Sequence, residues 1–518
     1  MFLCCWLALG ALIPLTLATD PGVKVKLTAK GLEYGTDRYN LPPSFGKALI
    51  WNLPITFPCL FLLGRQLGMA AIQKKLKTIR VPDISGKASV SPIGTVQYSL
   101  TNLQIVDVGL PTSTVALVPG TGVRLSISKA FIRLDGNWRV KYLRIIKDSG
   151  SFDLNVSDLT VGASIAIKSD ETGRPTVNSV GCEATVGSAS IHFHGGASWL
   201  YNLFKDFIDK AIRDALQNQI CPLVTDAVSD LNPQLKTLNV LAKVDQYAEI
   251  EYSMVSSPAV TTSSIELGLK GEFYNIGKRQ EPPFSAAAFD LPPQTDNMLY
   301  VGLSAFTANS AAFVYSTAGA LSLYVTDDMV PRASPIRLNT RTFGAFIPQI
   351  AERFPGLMVK LLVKTSETPV VTFEPNNTTV QATGTVTAYA IQPNATLSPL
   401  FVLNLESSAS ARLFVNVMRV AGNVTLNKMD LTLGTSYVGE FKVTALNSVF
   451  QMVLKSVVVP QLNVQLAKGY PLPTIGKMTL VNTKLQVLKG YMLIGTDVQF
   501  NSTHGASQDS FLPWGTTL

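Results

Sequence analysis

Residues 121–147 read TGVRLSISKAFIRLDGNWRVKYLRIIK. Apolar and polar residues alternate from position 123 to position 128, a period of two that is typical of a half-buried β-strand. Asp135, Gly136 and Asn137 follow, and these residue types tolerate the positive φ angles of tight turns. The stretch therefore predicts a β-hairpin whose turn lies at 135–137.

On the predicted return strand, basic and apolar side chains lie on opposite faces. Arg139 and Lys141 share one face, and Trp138 lies on the other. Two interpretations compete: an edge strand protected against aggregation by its charges, or an anion-binding tip where Trp138 anchors the strand in a lipid headgroup layer. The second is favoured, because edge protection seldom needs as many basic residues as this stretch holds. They are Arg124, Lys129, Arg133, Arg139, Lys141, Arg144 and Lys147.

Length and composition narrow the class of protein. A chain of 518 residues is too long for one ordinary core and predicts two domains. The hydrophobic content is 47% and the mean hydropathy +0.24, so the chain buries much apolar surface or lines a cavity for an apolar ligand. The net charge of +8 favours anionic partners, namely phospholipid, lipopolysaccharide or nucleic acid.

The N-terminus carries the features of a secreted protein. Residues 1–18 are predicted to be a signal peptide, with an apolar core and Ala18 at the cleavage site. Secretion permits disulfides, and Cys59, Cys182 and Cys221 remain after cleavage. Their odd number implies that one is unpaired or does not belong to the mature protein. Six asparagines lie in predicted glycosylation sequons: Asn155, Asn376, Asn377, Asn394, Asn423 and Asn501.

Residues 36–64 interrupt a helical pattern that resumes at Arg65. Three interpretations compete. The first is a transmembrane span over Ala48–Leu63, although that run is short and holds Asn52 and two prolines. The others are a lipid-inserting loop and a translated intron absent from the native protein. We favour the third, because the segment supplies the odd Cys59 and its run FPCLFLL is what a pyrimidine-rich tract would encode. Sequencing of the transcripts tests the intron hypothesis, which is contradicted if most transcripts span the segment continuously.

The rest of the chain predicts two similar halves. Closely spaced strands from 82 to 191 predict an antiparallel sheet or barrel, followed by an amphipathic helix over Trp199–Leu223 that is expected to pack on it. A bond between Cys182 and Cys221 would tie this helix to the sheet. The second half repeats the order, with a predicted strand at Ala312–Val325 and a second long helix at Leu446–Leu466. The predicted boundaries are an N-terminal domain at 19–275, a proline-rich linker at 276–297, a C-terminal domain at 298–500 and a disordered tail at 501–518.

Motifs for catalysis are missing from the sequence. It holds no nucleophile elbow, phosphate-binding glycine loop or HExxH motif, so we predict that the protein is not an enzyme. His192 and His194 would face the same way on a strand, but no third ligand accompanies them and no metal site is predicted. A nucleic-acid binder would need more aromatic platforms among its basic residues than Trp138 and Tyr142 provide.

The chain resembles the family of the bactericidal/permeability-increasing protein and the lipopolysaccharide-binding protein. The resemblance extends over almost all of Pro21–Phe500, and the number and order of its motifs make it specific. The motifs include PGVKVKLTAKGLEYG (21–35), AAIQKKLKTIRVPD (70–83), SISKAFIRLDGNWRV (126–140), FGAFIPQIAERFPGL (343–357) and QLAKGYPLPT (465–474).

This resemblance implies an α+β fold of two similar domains in a boomerang, each a twisted antiparallel β-barrel with a long amphipathic helix, joined by a central β-sheet. Each barrel is expected to hold one phospholipid, with no other cofactor, and Cys182 and Cys221 match the family's disulfide. A second tip loop of the family here reads SGKASVSPIGTVQ and keeps only Lys87, which leaves killing potency open. The residues implied to bind lipopolysaccharide are Lys87, Arg133, Trp138, Arg139, Lys141, Arg144 and Lys147.

The implied function is that of a secreted, extracellular innate-immunity protein, with storage in granules left open. It would bind lipid A on the Gram-negative outer membrane surface and damage or opsonise the bacterium, or deliver lipopolysaccharide. It is expected to be a monomer that also binds phospholipids and has no nucleic-acid partner. The alternatives are a plasma phospholipid or cholesteryl-ester transfer protein of the same fold, which would not need the basic hairpin, and a secreted polyanion or nucleic-acid binder.

Overall fold

The structure is a computed structural model and describes residues 20–32, 68–90, 94–142, 146–195, 205–416, 419–472 and 478–500. The predicted signal peptide, the 36–64 segment and the predicted C-terminal tail lie outside the described residues.

The first part of the chain builds a seven-stranded antiparallel sheet. Its strand order is β2-β3-β5-β6-β7, with β4 paired to β5 and β8 paired to β6. Side chains alternate between interior and solvent along β5, as the sequence predicts for positions 138–142. Its strands are β2 (Ile84–Val90), β3 (Gly94–Gly109), β4 (Thr112–Val118), β5 (Gly122–Tyr142), β6 (Ile146–Ser169), β7 (Pro175–Thr185) and β8 (Ser188–His194). Strand β1 (Val23–Thr28) precedes them and belongs to the central sheet.

Strand β5 is unbroken, so the predicted turn at 135–137 is wrong. Gly136 faces the interior, where a Cβ atom would lie 2.6 Å from Phe152 Cζ. The glycine therefore makes room for an aromatic ring instead of forming a turn. The hairpin does exist, but its arms are β5 and β6, paired as far as Tyr142 and Ile146. Because β5 lies between β3 and β6, the edge-strand interpretation is also wrong.

The long helix predicted over Trp199–Leu223 is present as α1 (Lys205–Ser229). It continues past the exposed Pro222 because Val224 and Val228 still pack into the core. The helix lies against the inner face of the sheet, in one core with Trp138 and Phe152. Its core-facing side chains recur at every fourth residue and are fully buried: Ile208, Ile212, Leu216, Ile220 and Val224.

Cys182 on β7 and Cys221 on α1 form a disulfide, with their Cα atoms 5.6 Å apart. The predicted pairing is confirmed. The bond fixes the C-terminal half of the long helix to the edge strand of the sheet.

A central sheet joins the two halves of the chain. Its strand order is β11-β12-β1-β14-β23-β22, so β1 from the first half pairs with β14 from the second. The middle part of the chain also forms α2 (Asn232–Leu235) and a three-stranded sheet ordered β13-β10-β9. The strands of this middle part are β9 (Leu241–Lys243), β10 (Ala248–Glu251), β11 (Ala259–Val260), β12 (Ser264–Leu269) and β13 (Glu272–Asn275).

The second half forms another seven-stranded antiparallel sheet, ordered β15-β16-β18-β19-β20-β21 with β17 paired to β18. Of the predicted strand at Ala312–Val325, only Ser322–Val325 is a strand. Helix α3 (Ala305–Thr317), capped by the Ser304 hydroxyl, occupies residues 312–317, and a turn follows it. The strands of this sheet are β15 (Ser322–Val325), β16 (Met358–Thr365), β17 (Val370–Glu374), β18 (Asn377–Ile391), β19 (Leu397–Asn416), β20 (Arg419–Ser436) and β21 (Tyr470–Pro471). The second half also supplies β14 (Leu299–Ser304), β22 (Met478–Leu488) and β23 (Tyr491–Phe500) to the central sheet.

The second long helix is a chain of helical segments over 443–468. A π-helical stretch at Leu454–Val458 precedes Pro460, whose ring cannot continue a regular hydrogen-bond ladder. By length and composition alone this stretch could cross a membrane, but Val449, Phe450 and Val453 fill the core of the second sheet. The helices of this half that follow α3 are α4 (Thr340–Gly344), α5 (Pro348–Arg353), α6 (Asn447–Val453) and α7 (Val459–Lys468).

The proline-rich segment 276–297 forms neither helix nor strand and is tied to the central sheet. Lys24 pairs with Asp290 at 3.0 Å, and the Lys26 ammonium donates to the Pro292 carbonyl at 2.9 Å. Burial lowers the pKa of Lys26. Tyr491 donates its hydroxyl to the Asp290 carbonyl. The segment therefore runs along β1 and β23 as a strap.

Three asparagine side chains pair with the backbone of strands at positions where one edge has no neighbouring strand. In each pair the amide oxygen accepts from an N–H and the amide nitrogen donates to the carbonyl of the same residue, at 2.7–3.1 Å. The amide thus replaces a missing strand and blocks edge-to-edge association. The pairs are Asn232 with Val177 on β7, Asn309 with Val371 on β17 and Asn463 with Val424 on β20.

Replacing Asn463 by alanine is expected to destabilise the protein by about 1–2 kcal/mol. The buried Val424 N–H and carbonyl would lose their partners, at a cost of roughly 1–3 kcal/mol, offset in part by the higher helix propensity of alanine. Denaturant unfolding measures the change. Gln461→Ala on the exposed side of the same helix is the matched control, and equal effects of the two substitutions would contradict the edge-blocking role.

Candidate functional site

Three lysines and a glutamine lie in register on four strands of the first sheet, near the ends of the β2–β3 and β5–β6 hairpins. Lys141 on β5 pairs with Lys147 on β6 and with Gln97 on β3. Gln97 in turn pairs with Lys87 on β2. Directly paired residues of an antiparallel sheet lie on the same face, and here that face is exposed. We call these four residues the tip row: Lys87, Gln97, Lys141 and Lys147.

Arg139 lies on the same exposed face, one outward-facing position further from the hairpin ends. It is flanked by Ser99 on β3 and Ser149 on β6. Together with the three lysines of the tip row it makes a set that we call the tip cations. At about 4.8 Å per strand, the backbone of the tip row spans roughly 15 Å.

The tip cations form a cluster of positive charge that no ion pair neutralises. Within the described residues, none of them has an ion-pair partner. Lys141 and Lys147 lie directly opposite each other, and like charges in that position destabilise a sheet. A bound anion would remove this repulsion, and the width of the row suits a ligand with more than one phosphate.

Arg133 does not belong to this cluster. It lies six residues along β5 from Arg139, about 20 Å away, and its guanidinium is 4.0 Å from an Asp107 oxygen and 5.1 Å from the Phe131 ring centroid. Asp135 and its cross-strand partner Asp153 lie between. The structure therefore does not place Arg133 with the tip cations.

The interpretation of Trp138 as a lipid-surface anchor is wrong. The residue is 2% exposed, and its ring meets the Phe193 ring edge-on with centroids 6.0 Å apart. Its indole N–H donates to the His194 carbonyl at 3.3 Å. Trp138 faces the interior because it alternates with the exposed Arg139, so it supports the tip from behind. Arg144 lies outside the described residues.

His192 and His194 do share the exposed face of β8, as the sequence predicts. His194 Nε2 lies 2.7 Å from Asp153 Oδ2, and His192 pairs across the strands with the same aspartate. In the described part of the chain, no group of three His, Cys, Asp or Glu side chains could hold a metal ion.

The predicted glycosylation positions that the structure describes are all exposed. Asn155 lies on β6 and Asn423 on β20, whereas Asn376, Asn377 and Asn394 lie at or beside hairpin turns. Asn501 is outside the described residues. Sugar attachment at these positions stays a prediction.

Three neighbours of the tip cations, Gln97, Ser99 and Ser149, were not among the residues predicted from the sequence. These polar side chains stand beside the basic ones and can hydrogen-bond a phosphate or a sugar hydroxyl. Only the strand register reveals them, because each is an ordinary solvent-facing residue of its own strand.

Two family models match the chain. The model "LBP / BPI / CETP family, N-terminal domain" matches residues 61–231, and "LBP / BPI / CETP family, C-terminal domain" matches residues 242–500. This chain belongs to the LBP/BPI/CETP family. The predicted membership is therefore confirmed, and so is the predicted fold class of two similar α+β domains. The sheet of each domain, predicted as a twisted barrel, is a curled antiparallel sheet that forms a half-barrel.

Relatives in the family align over nearly the whole chain. The Bactericidal permeability-increasing protein of Sebastes schlegelii is 75% identical over 500 residues, covering 96% of this chain and 100% of that protein. The Lipopolysaccharide-binding protein of Homo sapiens is 30% identical over 488 residues, covering 94% and 95%. A crystal structure of lipopolysaccharide binding protein superposes with a TM-score of 0.56 at 29% identity, covering 93% of this chain and 99% of that one.

Proposed function

We propose that this protein is an innate-immunity protein that binds lipopolysaccharide, with the tip cations contacting the phosphates of lipid A. The observation that carries the proposal is the row of three lysines without ion-pair partners, in register on β2, β5 and β6 with Gln97 of β3 between them. Hydrogen bonds between ammonium or guanidinium groups and phosphate are charge-assisted and stronger than neutral ones. The names of the relatives, Bactericidal permeability-increasing protein and Lipopolysaccharide-binding protein, agree with this assignment.

The proposal includes an extracellular location and a role without catalysis. The disulfide between Cys182 and Cys221 suits an oxidising compartment. One phospholipid in each domain and acyl-chain contacts with apolar surface are part of the proposal, supported by the mean hydropathy of +0.24. Bound at the Gram-negative outer membrane surface, the protein would damage or opsonise the bacterium.

The test is a titration of the full chain against lipopolysaccharide, neutral phosphatidylcholine vesicles and double-stranded DNA. We expect lipopolysaccharide to bind at least about tenfold more tightly than phosphatidylcholine. The affinity should fall between 0.1 M and 1 M salt, because the Debye length shrinks from about 10 Å to about 3 Å. Acyl-chain contacts should preserve part of the binding at high salt.

Two results would contradict the proposal. Equal binding of both lipids, with lipid still carried between vesicles, would indicate a lipid-transfer protein. DNA binding as tight as lipopolysaccharide binding would indicate a general polyanion binder.

A further inference from the structure

Two histidines and two aspartates lie beside the tip cations on the exposed face of the first sheet. Asp135 on β5 pairs with Asp153 on β6, and Asp153 pairs in turn with His192 on β8. His194 is two residues further along β8, on the same face, with its Nε2 2.7 Å from Asp153 Oδ2. All four side chains are exposed. We call this set the His–Asp band: Asp135, Asp153, His192 and His194.

The His–Asp band is close enough to the tip to act on an anion bound there. His194 pairs with Ser151, which is the next outward-facing residue of β6 after Ser149, and Ser149 pairs with Arg139. His194 is therefore one outward-facing position along the strands and two strands across from Arg139. At about 6.7 Å per outward-facing position and about 4.8 Å per strand, their backbones are roughly 12 Å apart. This separation is close to the Debye length of about 10 Å in 0.1 M salt and well below the value of about 30 Å in 0.01 M salt.

With neutral histidines, the His–Asp band opposes the binding of anions. Its two carboxylates lie directly opposite each other, an arrangement of like charges that destabilises a sheet. In the described part of the chain, neither carboxylate has a lysine or arginine within ion-pair distance. The negative charges of Asp135 and Asp153 therefore stand next to the tip cations and repel a surface that carries phosphates.

Protonation of the two histidines would remove this repulsion. Histidine gains a positive charge as the pH falls from about 8 to about 5. His192 lies directly across from Asp153, and the ring of His194 is hydrogen-bonded to the same carboxylate. Two added positive charges would therefore offset the two negative ones at the place where they face the tip.

The other described charged groups around β8 are of types that ordinarily keep their charge over this pH range, namely aspartate and arginine. On the exposed face they are Asp153 on β6 and, beyond it, Asp135 and Arg139 on β5. Helix α1 packs on the opposite face of the sheet, and its Arg213 donates to the Gly187 carbonyl just before β8 at 3.5 Å. The histidines are therefore the groups that make the charge of this face depend on pH.

We propose that the His–Asp band is an acid-operated extension of the tip, which makes the outer face of the first sheet bind an anionic lipid surface more tightly at about pH 5.5 than at about pH 7.5. The tip cations contact phosphates at both pH values. The protonated imidazoles convert a neighbour that repels the lipid surface into one that does not. This inference rests on the proposed function, because it concerns the strength of binding at the same face.

The test measures binding of the full chain to vesicles of phosphatidylglycerol and phosphatidylcholine in about 0.01 M salt, where screening is weak. The phosphodiester of phosphatidylglycerol keeps its charge in this pH range, whereas a phosphate monoester takes up a proton near pH 6. We expect Kd to fall by about threefold or more from about pH 7.5 to about pH 5.5, as two added charges at this distance imply. The gain should shrink in about 1 M salt, where the Debye length is about 3 Å.

Replacing both histidines of the His–Asp band by asparagine should abolish the gain in acid, because asparagine is polar but takes up no proton in this range. The chain has three histidines, and the third, His504, lies outside the described residues. His504→Asn is therefore the matched control and should keep the gain. A gain of equal size in the double variant with His192→Asn and His194→Asn, or loss of the gain in His504→Asn, would overturn the proposal.

The double variant with Asp135→Asn and Asp153→Asn should imitate the effect of acid at neutral pH. We expect it to bind the vesicles about threefold or more tightly than the wild type at about pH 7.5. A misfolded protein would not show such a gain, so this variant separates binding from folding. Equal or weaker binding would contradict the repulsive role of the two carboxylates and overturn the proposal.

Failure of the proposed function and failure of this inference give different results. Lipopolysaccharide that binds no more tightly than phosphatidylcholine at about pH 7.5 would contradict the proposed function, whether or not acid strengthens binding to phosphatidylglycerol. Tight binding of lipopolysaccharide without any gain on phosphatidylglycerol vesicles in acid would overturn the role of the His–Asp band alone.

Discussion

Changing Lys87, Lys141 and Lys147 together to glutamate is expected to weaken lipopolysaccharide binding at least about a hundredfold in 0.1 M salt. Each lysine that contacts a phosphate contributes roughly 1.5–3 kcal/mol, and 1.4 kcal/mol corresponds to a factor of ten in Kd. The three positions lie in one row across β2, β5 and β6, so the substitutions place negative charge along the entire row. Calorimetric or fluorescence titration measures the change.

The control must change the net charge equally without touching the tip. Lys168, Lys210 and Lys236 are exposed residues of the same domain, and their change to glutamate should alter Kd by less than about threefold. Equal losses in the two triple variants would show that only net charge matters and would contradict a defined site. Since positions 141 and 147 lie directly opposite each other and carry like charges both before and after the change, the tip variant should unfold at about the same temperature as the wild type.

The period-two pattern was sufficient to predict which residues of this strand face outward. Arg139 and Lys141 are exposed, and Trp138 and Val140 are buried, as the alternation indicates. The same pattern could not show that β5 continues through Asp135-Gly136-Asn137. Turn-forming residue types describe local preferences, whereas Gly136 is required by the ring of Phe152 on the neighbouring strand, a contact that only the fold reveals.

A similar limit explains the wrong assignment at Ala312–Val325. The residues of α3 are mostly small, β-branched or aromatic and show no clear amphipathic period, so their sequence resembles a strand. Helix α3 forms because it is capped by Ser304 and packs on the central core through Val314 and Ala311. Tertiary packing therefore decides the conformation where local propensity is weak.

The clustering of the tip cations depends on which residues of neighbouring strands are paired, and this strand register cannot be read from the sequence. Lys87 and Lys141 are far apart in sequence and become neighbours of Gln97 only through the β2–β3 and β3–β5 pairings. Arg133 carries the same charge on the same strand, yet its position leaves it beside Asp107. Residue type and family resemblance therefore identify candidate residues, and strand pairing separates those that act together from those that do not.

Replacing both Cys182 and Cys221 by serine is expected to destabilise the N-terminal domain by roughly 4 kcal/mol. The bond closes a loop with a sequence separation of 39 residues, and the chain-entropy model gives about 4 kcal/mol for a loop of that length. For a domain of this size the thermal midpoint should fall by about 8–16 °C. Calorimetry with separate transitions for the two domains measures the effect, and the transition of the C-terminal domain should not move.

The fold itself should survive the loss of the disulfide, because α1 is also held by packing. Ile208, Ile212 and Leu216 remain fully buried on the sheet, and the bond acts mainly by restricting the unfolded chain. Reductant should lower the midpoint of the wild type toward that of the double variant and leave the variant unchanged. A loss below about 1 kcal/mol would contradict the entropic role. At temperatures below its thermal midpoint, the double variant should still bind lipopolysaccharide at the tip. Cys182 lies on β7 and Cys221 on α1, and none of the tip cations lies on either element.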